Sequence, residues 1–168
     1  HKCLGLLEGN HEDSIRIHNH DDIQKNICEA LSVKNLSYSC YYRLIFRRGK
    51  GHSHYSVVCM FTHGNGAPRT KGARMMNLLA TMNEFEADLY AKGHLHDIIT
   101  YPRPYLKLGL KNKIIESHRV GAITGSWVRS YKQNVPASYA EKAGYPPSAV
   151  GCPVFKIDPD ERTLSVEG

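Results

Sequence analysis

The chain has 168 residues, of which 41% are apolar and 23% charged, enough for one folded core and too short for two large ones. That balance excludes a disordered polymer, and no apolar run approaches the roughly 18 residues a membrane-spanning helix needs. Lys and Arg outnumber Asp and Glu by 22 to 16, and the net charge of +6 favours anionic partners such as phosphate esters or nucleic acid over plain solubility only weakly. Five cysteines (Cys3, Cys28, Cys40, Cys59, Cys152) show no C-x-x-C spacing. Most lie in apolar segments, so they read as buried thiols of a reducing, cytoplasmic protein rather than a zinc site. No repeat, low-complexity tract or linker divides residues 1–168, which predicts a single domain.

In chain order, the apolar run 3–8 predicts a short buried strand that stops at Gly9-Asn10-His11-Glu12-Asp13. Ile23, Ile27, Ala30 and Leu31 recur at helical spacing, with Asp21 or Asp22 as N-cap. Residues 37–47 alternate: Tyr38, Cys40, Tyr42, Leu44 and Phe46 take one face of a half-buried strand. A basic loop over 48–54 leads into 55–61, apolar on both faces as a central strand is. After Thr62-His63-Gly64, residues 71–86 carry Met75, Leu78, Leu79, Met82 and Phe85, an amphipathic helix whose methionines pack the core. Residues 88–92 form a short strand ending at Gly93-His94-Leu95-His96. Strands follow over 98–101, 105–108 and 113–123; 126–151 reads as a long loop with one helical turn; 153–157 and 163–166 close a hairpin. Early alternation of strands and helices, then strands, predicts an α/β fold of two packed sheets with helices outside.

Three loops share one design: Gly9-Asn10-His11, His63-Gly64 and Gly93-His94-Leu95-His96 each follow a short apolar strand and set glycine beside an imidazole. Loops at neighbouring strand ends converge at one edge of an α/β sheet. Glycine lets the chain turn sharply and lets a ligand approach the backbone. Neutral imidazole suits Zn, Mn, Fe or Ni, and a carboxamide oxygen suits a harder divalent ion. Two ions held together activate water and clamp a phosphoryl group, as phosphate-ester hydrolases do.

G-N-H-E at 9–12, H-G at 63–64 and G-H-L-H at 93–96, in that order, resemble the last three motifs of the calcineurin-like metallophosphoesterases. The resemblance spans most of the chain. It implies the four-layer α-β-β-α sandwich of that family, lacking its N-terminal strands. It implies hydrolysis of phosphate mono- or diesters, nucleic-acid phosphodiesters among them, by a metal-activated water. Two divalent ions are implied as cofactors, manganese first, with iron, zinc, nickel or magnesium as alternatives. Asn10, His63 and His94 are implied ligands of one ion and His96 of the other. His11 is implied as the non-ligand histidine that contacts phosphate and protonates the leaving oxygen. The stretch Ser138 to Gly151 resembles phage and bacterial members.

The departure is at the N-terminus. The family's D-x-H and G-D-x-x-D motifs precede G-N-H-E, and only eight residues precede Gly9. One Asn and three neutral His would surround two dications with no carboxylate, whereas hard ions close together need an anionic bridge. Glu12, Asp13 and Asp97 are the nearby acids, none at a motif position of the bridge, and Asp13 reads equally as a helix cap. The chain therefore reads as the C-terminal portion of a phosphoesterase domain that binds at most one ion weakly, is inactive by itself and exposes a surface its missing strands cover. A non-catalytic binding or scaffold module that keeps the fold without the metal pair is the alternative.

Other histidines read as structural. Gly51-His52-Ser53-His54 repeats G-H-x-H in a basic loop; His18 and His20 lie on a helical segment; His118 lies on a strand. Arg69, Lys71, Arg74, Arg103 and Arg129 are candidate phosphate contacts, weighed against a solvated charged face. Tyr101, Tyr105, Trp127 and Tyr131 are candidate base-stacking groups, weighed against ordinary packing.

Overall fold

The computed structural model describes residues 3–47 and 54–168. It is a mixed α/β architecture: a five-stranded sheet in the order β1-β2-β3-β5-β4, and a two-stranded hairpin β6-β7. The strands are β1 (Ser39–Arg47), β2 (His54–Thr62), β3 (Leu89–Lys92), β4 (Ile98–Leu108), β5 (Ile114–Thr124), β6 (Val154–Asp158) and β7 (Thr163–Glu167). The helices are α1 (Asn10–Asn19), α2 (Ile23–Leu31), α3 (Lys71–Glu84) and α4 (Tyr139–Lys142), with a single 3-10 turn at Leu110–Asn112.

β1 and β2 form an antiparallel pair, as do β4 and β5, while β2, β3 and β5 run parallel to one another. α3 makes the β2-to-β3 crossover that a parallel pair requires. Its Thr70 hydroxyl caps the Ala73 N–H at 3.2 Å. Leu78 and Met82 of α3 then bury against Met60, Tyr90, Ile99 and Ile123 on one face of the sheet. The other face sends Val57, Cys59, Leu89 and Val120 against Phe155, Ile157, Leu164 and Val166 of the hairpin. The alternation in β2 explains both contacts: neighbouring side chains point to opposite faces, and both faces are covered. The methionine assignment holds for Met82, fully buried, and for Met75, packed at the edge of the same cluster.

α2 begins where the spacing placed it, and Asp22 is its cap, accepting the Lys25 N–H at 2.9 Å. Three expectations change. Residues 3–8 are extended but form a single parallel bridge, Leu6 to Asn35, instead of a strand. Beyond it the Glu8 N–H still donates to the Ser37 carbonyl at 2.9 Å before Ser37, at φ 57°, leads into β1. The two strands expected over 98–101 and 105–108 are one, running through Pro102 and Pro104. β4 is an edge strand, and prolines two residues apart present their missing N–H to the same unpaired side. The cysteines divide: Cys28 and Cys59 are buried, Cys40 is intermediate, and Cys3 and Cys152 are exposed. His52 and the basic loop lie outside the described residues, and His54 opens β2. No helix among the described residues is long and apolar enough to cross a membrane.

Candidate metal centre and cleft

The parallel run of β2, β3 and β5 sets their C-terminal ends side by side, with Thr62 opposite Lys92 and Lys92 opposite Ile123. His63, Gly93-His94 and the start of the 126–151 segment therefore leave the sheet at one edge. The extended segment 3–8 delivers the N-terminus of α1 to that edge. There His63 Nε2 stands 2.8 Å from Asn10 Oδ1 and 3.1 Å from His94 Nδ1, and His94 Nδ1 stands 3.2 Å from Asn10 Oδ1. Three loops far apart in sequence thus point three heteroatoms at one another.

Hydrogen bonding alone cannot satisfy that triangle. If each imidazole donates to the carboxamide oxygen, two N–H groups face each other across the third edge; if one is deprotonated, an edge to Asn10 loses its donor. A cation facing all three lone pairs removes the conflict. Neighbouring ligands about 2.1 Å from an octahedral ion stand about 3 Å apart, which matches all three edges. The donor set therefore fits a divalent ion of the borderline or harder kind. Among the described residues, no group of three or more His, Cys, Asp or Glu side chains gathers with metal-site geometry. The cluster consists of two imidazoles and one carboxamide.

Glycine is required beside each of these groups. A Cβ on Gly9 would stand 2.9 Å from His63 Cε1, and one on Gly93 would stand 3.2 Å from the His63 carbonyl. Gly64, at φ 83°, passes so close to Lys92 that a Cβ would meet its Cε at 2.8 Å. His94 and His96 adopt left-handed φ values of 66° and 49° without being glycines. Strain of this kind persists where the surroundings impose it and clusters at functional loops.

Burial holds the His63 imidazole below its ordinary pKa of 6.5; His94, His11 and His96 add to that and Glu12 opposes it. His96 is lowered too, by burial first and then by His94, His11 and Arg74. Imidazoles crowded together stay neutral, the state a ligand needs. His11 and His96 line a cleft with Asn10 and His94, so the structure brings all five predicted residues to one place.

The nearby acids are committed elsewhere. Glu12 accepts the Gly9 N–H at 3.0 Å and closes the first turn of α1. Asp13 pairs with Arg16 on the next turn, not with a cap position. Asp97 is buried against Arg74 at 2.9 Å. Arg74, which lines the same cleft, also donates to the Pro68 carbonyl at 3.1 Å and ties the loops after β2 and β3 together. Of the other cations, Arg103 bonds the Asn83 side chain in the last turn of α3, and Arg69 lies over the Tyr145 ring at 5.8 Å. Lys71 is exposed on the first turn of α3, and Arg129 is exposed in the 126–151 segment. Among the aromatic candidates, Tyr101 packs on the core and Tyr105 lies under Arg119 at 4.1 Å. Trp127 is 75% exposed. Tyr131 bonds its hydroxyl to the Tyr145 carbonyl at 2.5 Å. His118 pairs with Glu116 on the surface, and His18 and His20 are exposed.

Three supporting residues escaped the sequence reading. Tyr38 donates to the Gly64 carbonyl and sets its ring edge-on to His63 at 5.2 Å. Thr62 Oγ1 accepts the Gly64 N–H at 3.1 Å. Lys92 is buried beneath the His63 loop, with Nζ 2.8 Å from Thr81 Oγ1, and burial lowers its pKa. The polar end of the otherwise apolar run Leu89-Tyr90-Ala91-Lys92 was the available signal. Tyr38 carried none, because its alternation matched ordinary strand packing.

The chain matches no protein-family model, no curated protein and no solved structure.

Proposed function

We propose that this chain carries part of the metal centre of a calcineurin-like phosphoesterase and serves divalent-metal-dependent hydrolysis of phosphate mono- or diesters. The observation that carries this reading is the triangle of Asn10 Oδ1, His63 Nε2 and His94 Nδ1, with edges of 2.8, 3.1 and 3.2 Å. Asn10, His63 and His94 would hold one ion, manganese first as the family resemblance implies, and His96 is the candidate ligand of a second. A bound divalent ion supplies water activation and charge stabilisation at the phosphoryl oxygens. The chain's own part is orientation and proton handling. His11, exposed on the cleft wall one residue past Asn10, is placed to contact a phosphoryl oxygen and to give a proton to the leaving oxygen. The five-stranded sheet, with a helix on one face and a second β layer on the other, supports assignment to the four-layer sandwich. The basic net charge supports a phosphodiester or nucleic-acid substrate.

The ligand set also sets a limit. Glu12, Asp13 and Asp97 are each engaged by an N–H or a guanidinium, so a carboxylate bridge for two ions comes from outside these residues. In this reading residues 1–168 alone hold one ion weakly and hydrolyse slowly or not at all. The same observation favours a second reading, a binding module that keeps the fold and not the metal pair.

The test is hydrolysis of bis(4-nitrophenyl) phosphate with manganese, using the full-length protein and its His63→Ala variant, beside manganese titration of residues 1–168. Metal-dependent turnover that disappears in the variant supports the enzyme. Equal rates remove His63 from the mechanism. No manganese binding by either protein leaves the binding module.

A further inference from the structure

We infer that the cleft beside the Asn10–His63–His94 triangle contains a stacking subsite for a nucleobase, with the Tyr139 ring as its platform. The inference rests on the phosphoester reading for the position of the phosphate and adds the substrate class, a nucleotide.

The cleft has two walls of different chemistry. One carries Asn10, His11, His94 and His96; the other carries Tyr139 and Tyr145 from the segment that leaves the sheet after β5. The Tyr139 ring lies edge-on to the His11 imidazole, centroids 6.5 Å apart. A phosphoryl group held at His11 therefore has an aromatic ring about one sugar away. Tyr139 is 65% exposed, so its ring contributes little to the core. An exposed aromatic face on the wall of a polar cleft is suited to stacking, which every base can accept. Tyr145 lies 6.1 Å from Tyr139, tilted, and Arg69 covers Tyr145 at 5.8 Å, extending the surface with a cation.

The platform is anchored. Ser138 and Glu141 form a capping box at the start of α4, with the Ser138 hydroxyl 2.8 Å from Glu141 Oε1. The same carboxylate accepts the Tyr131 N–H at 2.6 Å, and Tyr131 donates its hydroxyl to the Tyr145 carbonyl. Little ordering therefore remains to be done on binding. No carboxylate lines the cleft, while Ser130 and Ser148 line it and offer hydroxyls to the edges of a base. An anionic ligand with a flat, hydrogen-bonding group matches both walls.

The test is calorimetric titration of the chain, with manganese present, against AMP, ribose 5-phosphate and adenosine, repeated with Tyr139→Ala and Tyr139→Phe. Expected is AMP binding about 5- to 100-fold tighter than ribose 5-phosphate, with that advantage lost in Tyr139→Ala and kept in Tyr139→Phe. Equal binding of AMP and ribose 5-phosphate overturns the base subsite and leaves the phosphoester reading standing. Adenosine binding as tightly as AMP and sensitive to Tyr139→Ala supports the platform and removes the phosphate reading. An advantage of AMP that survives Tyr139→Ala places the base elsewhere and overturns the inference. Failure of all three ligands to bind overturns the base subsite.

Discussion

Arg74 and Asp97 form an ion pair of 2.9 Å with both side chains about nine-tenths buried, and it joins the loop that carries His63 to the loop that carries His96. Arg74 reaches Asp97 from the first turn of α3 and grips the Pro68 carbonyl with its Nε, so one guanidinium fastens both loops. Breaking a buried pair strands a charge, which costs about 3–5 kcal/mol. Arg74→Met is expected to lower stability in urea by that amount, and adding Asp97→Asn to recover part of it. Asn at 97 can still accept the Ile98 N–H that Asp97 Oδ1 now accepts at 3.0 Å. A single variant within about 0.5 kcal/mol of the parent would contradict the pair.

Manganese affinity is expected to depend on the triangle and not on the surface histidines. His63→Ala, His94→Ala and Asn10→Ala should each weaken binding at least about tenfold, whereas His118→Ala, on the surface beside Glu116, should leave it unchanged. Burial and its imidazole neighbours keep His63 below 6.5, so the ring is neutral at pH 7 and affinity should fall as pH drops from 7 to 5 and protons compete. Calorimetric titration at the two pH values measures both effects.

Two glycine-to-alanine changes should act in opposite directions. At Gly9 the new methyl would lie 2.7 Å from Glu12 Oε2 and 2.9 Å from His63 Cε1, so His63 must move. Weaker metal binding is expected, and thermal unfolding should show a loss of about 1–3 kcal/mol from overpacking. At Gly72, in the first turn of α3, a methyl meets nothing within 4 Å. Gly72→Ala should raise stability by about 0.5–1 kcal/mol, through helix propensity and a less flexible unfolded chain. Gly72→Ala lowering the melting temperature would count against the helix placement.

Thiol labelling at pH 8 should separate the cysteines. Burial pushes the Cys59 thiol up to about 11, so almost no thiolate forms there at pH 8, and it raises that of Cys28 as well. The burial of both also blocks the reagent. Iodoacetamide is expected to modify the exposed Cys152 and Cys3 first and to reach Cys59 only on unfolding. Peptide mapping by mass spectrometry reads this directly, and early modification of Cys59 would show the sheet-to-hairpin core to be open.

Periodicity made most of the elements legible. The apolar spacing of 71–86 is that of α3, the alternation of 39–47 is that of β1, and the continuous apolar run 55–61 marks a strand covered on both faces. Proline misled over 98–108, since a strand reads as broken at Pro102 and Pro104 until its edge position is known. Residues 3–8 misled in the other direction. Their apolarity is real, but a strand needs a continuous ladder, and the pairing here is the isolated bridge of Leu6 with Asn35.

By itself the sequence determined which residues could form a centre: Asn10, His63 and His94 beside glycines, and His11 and His96 close by, because loop composition and strand ends are local properties. Only the tertiary structure decided that the first three meet within 3.2 Å. Only it decided that Glu12, Asp13 and Asp97 are spent on a helix turn and two ion pairs, and that Tyr139 lines the same cleft as His11 with the two rings perpendicular. The physical reason is that a side chain's composition and spacing are encoded where it stands. Its partners are set by strand order and parallel pairing, which bring together residues more than eighty positions apart.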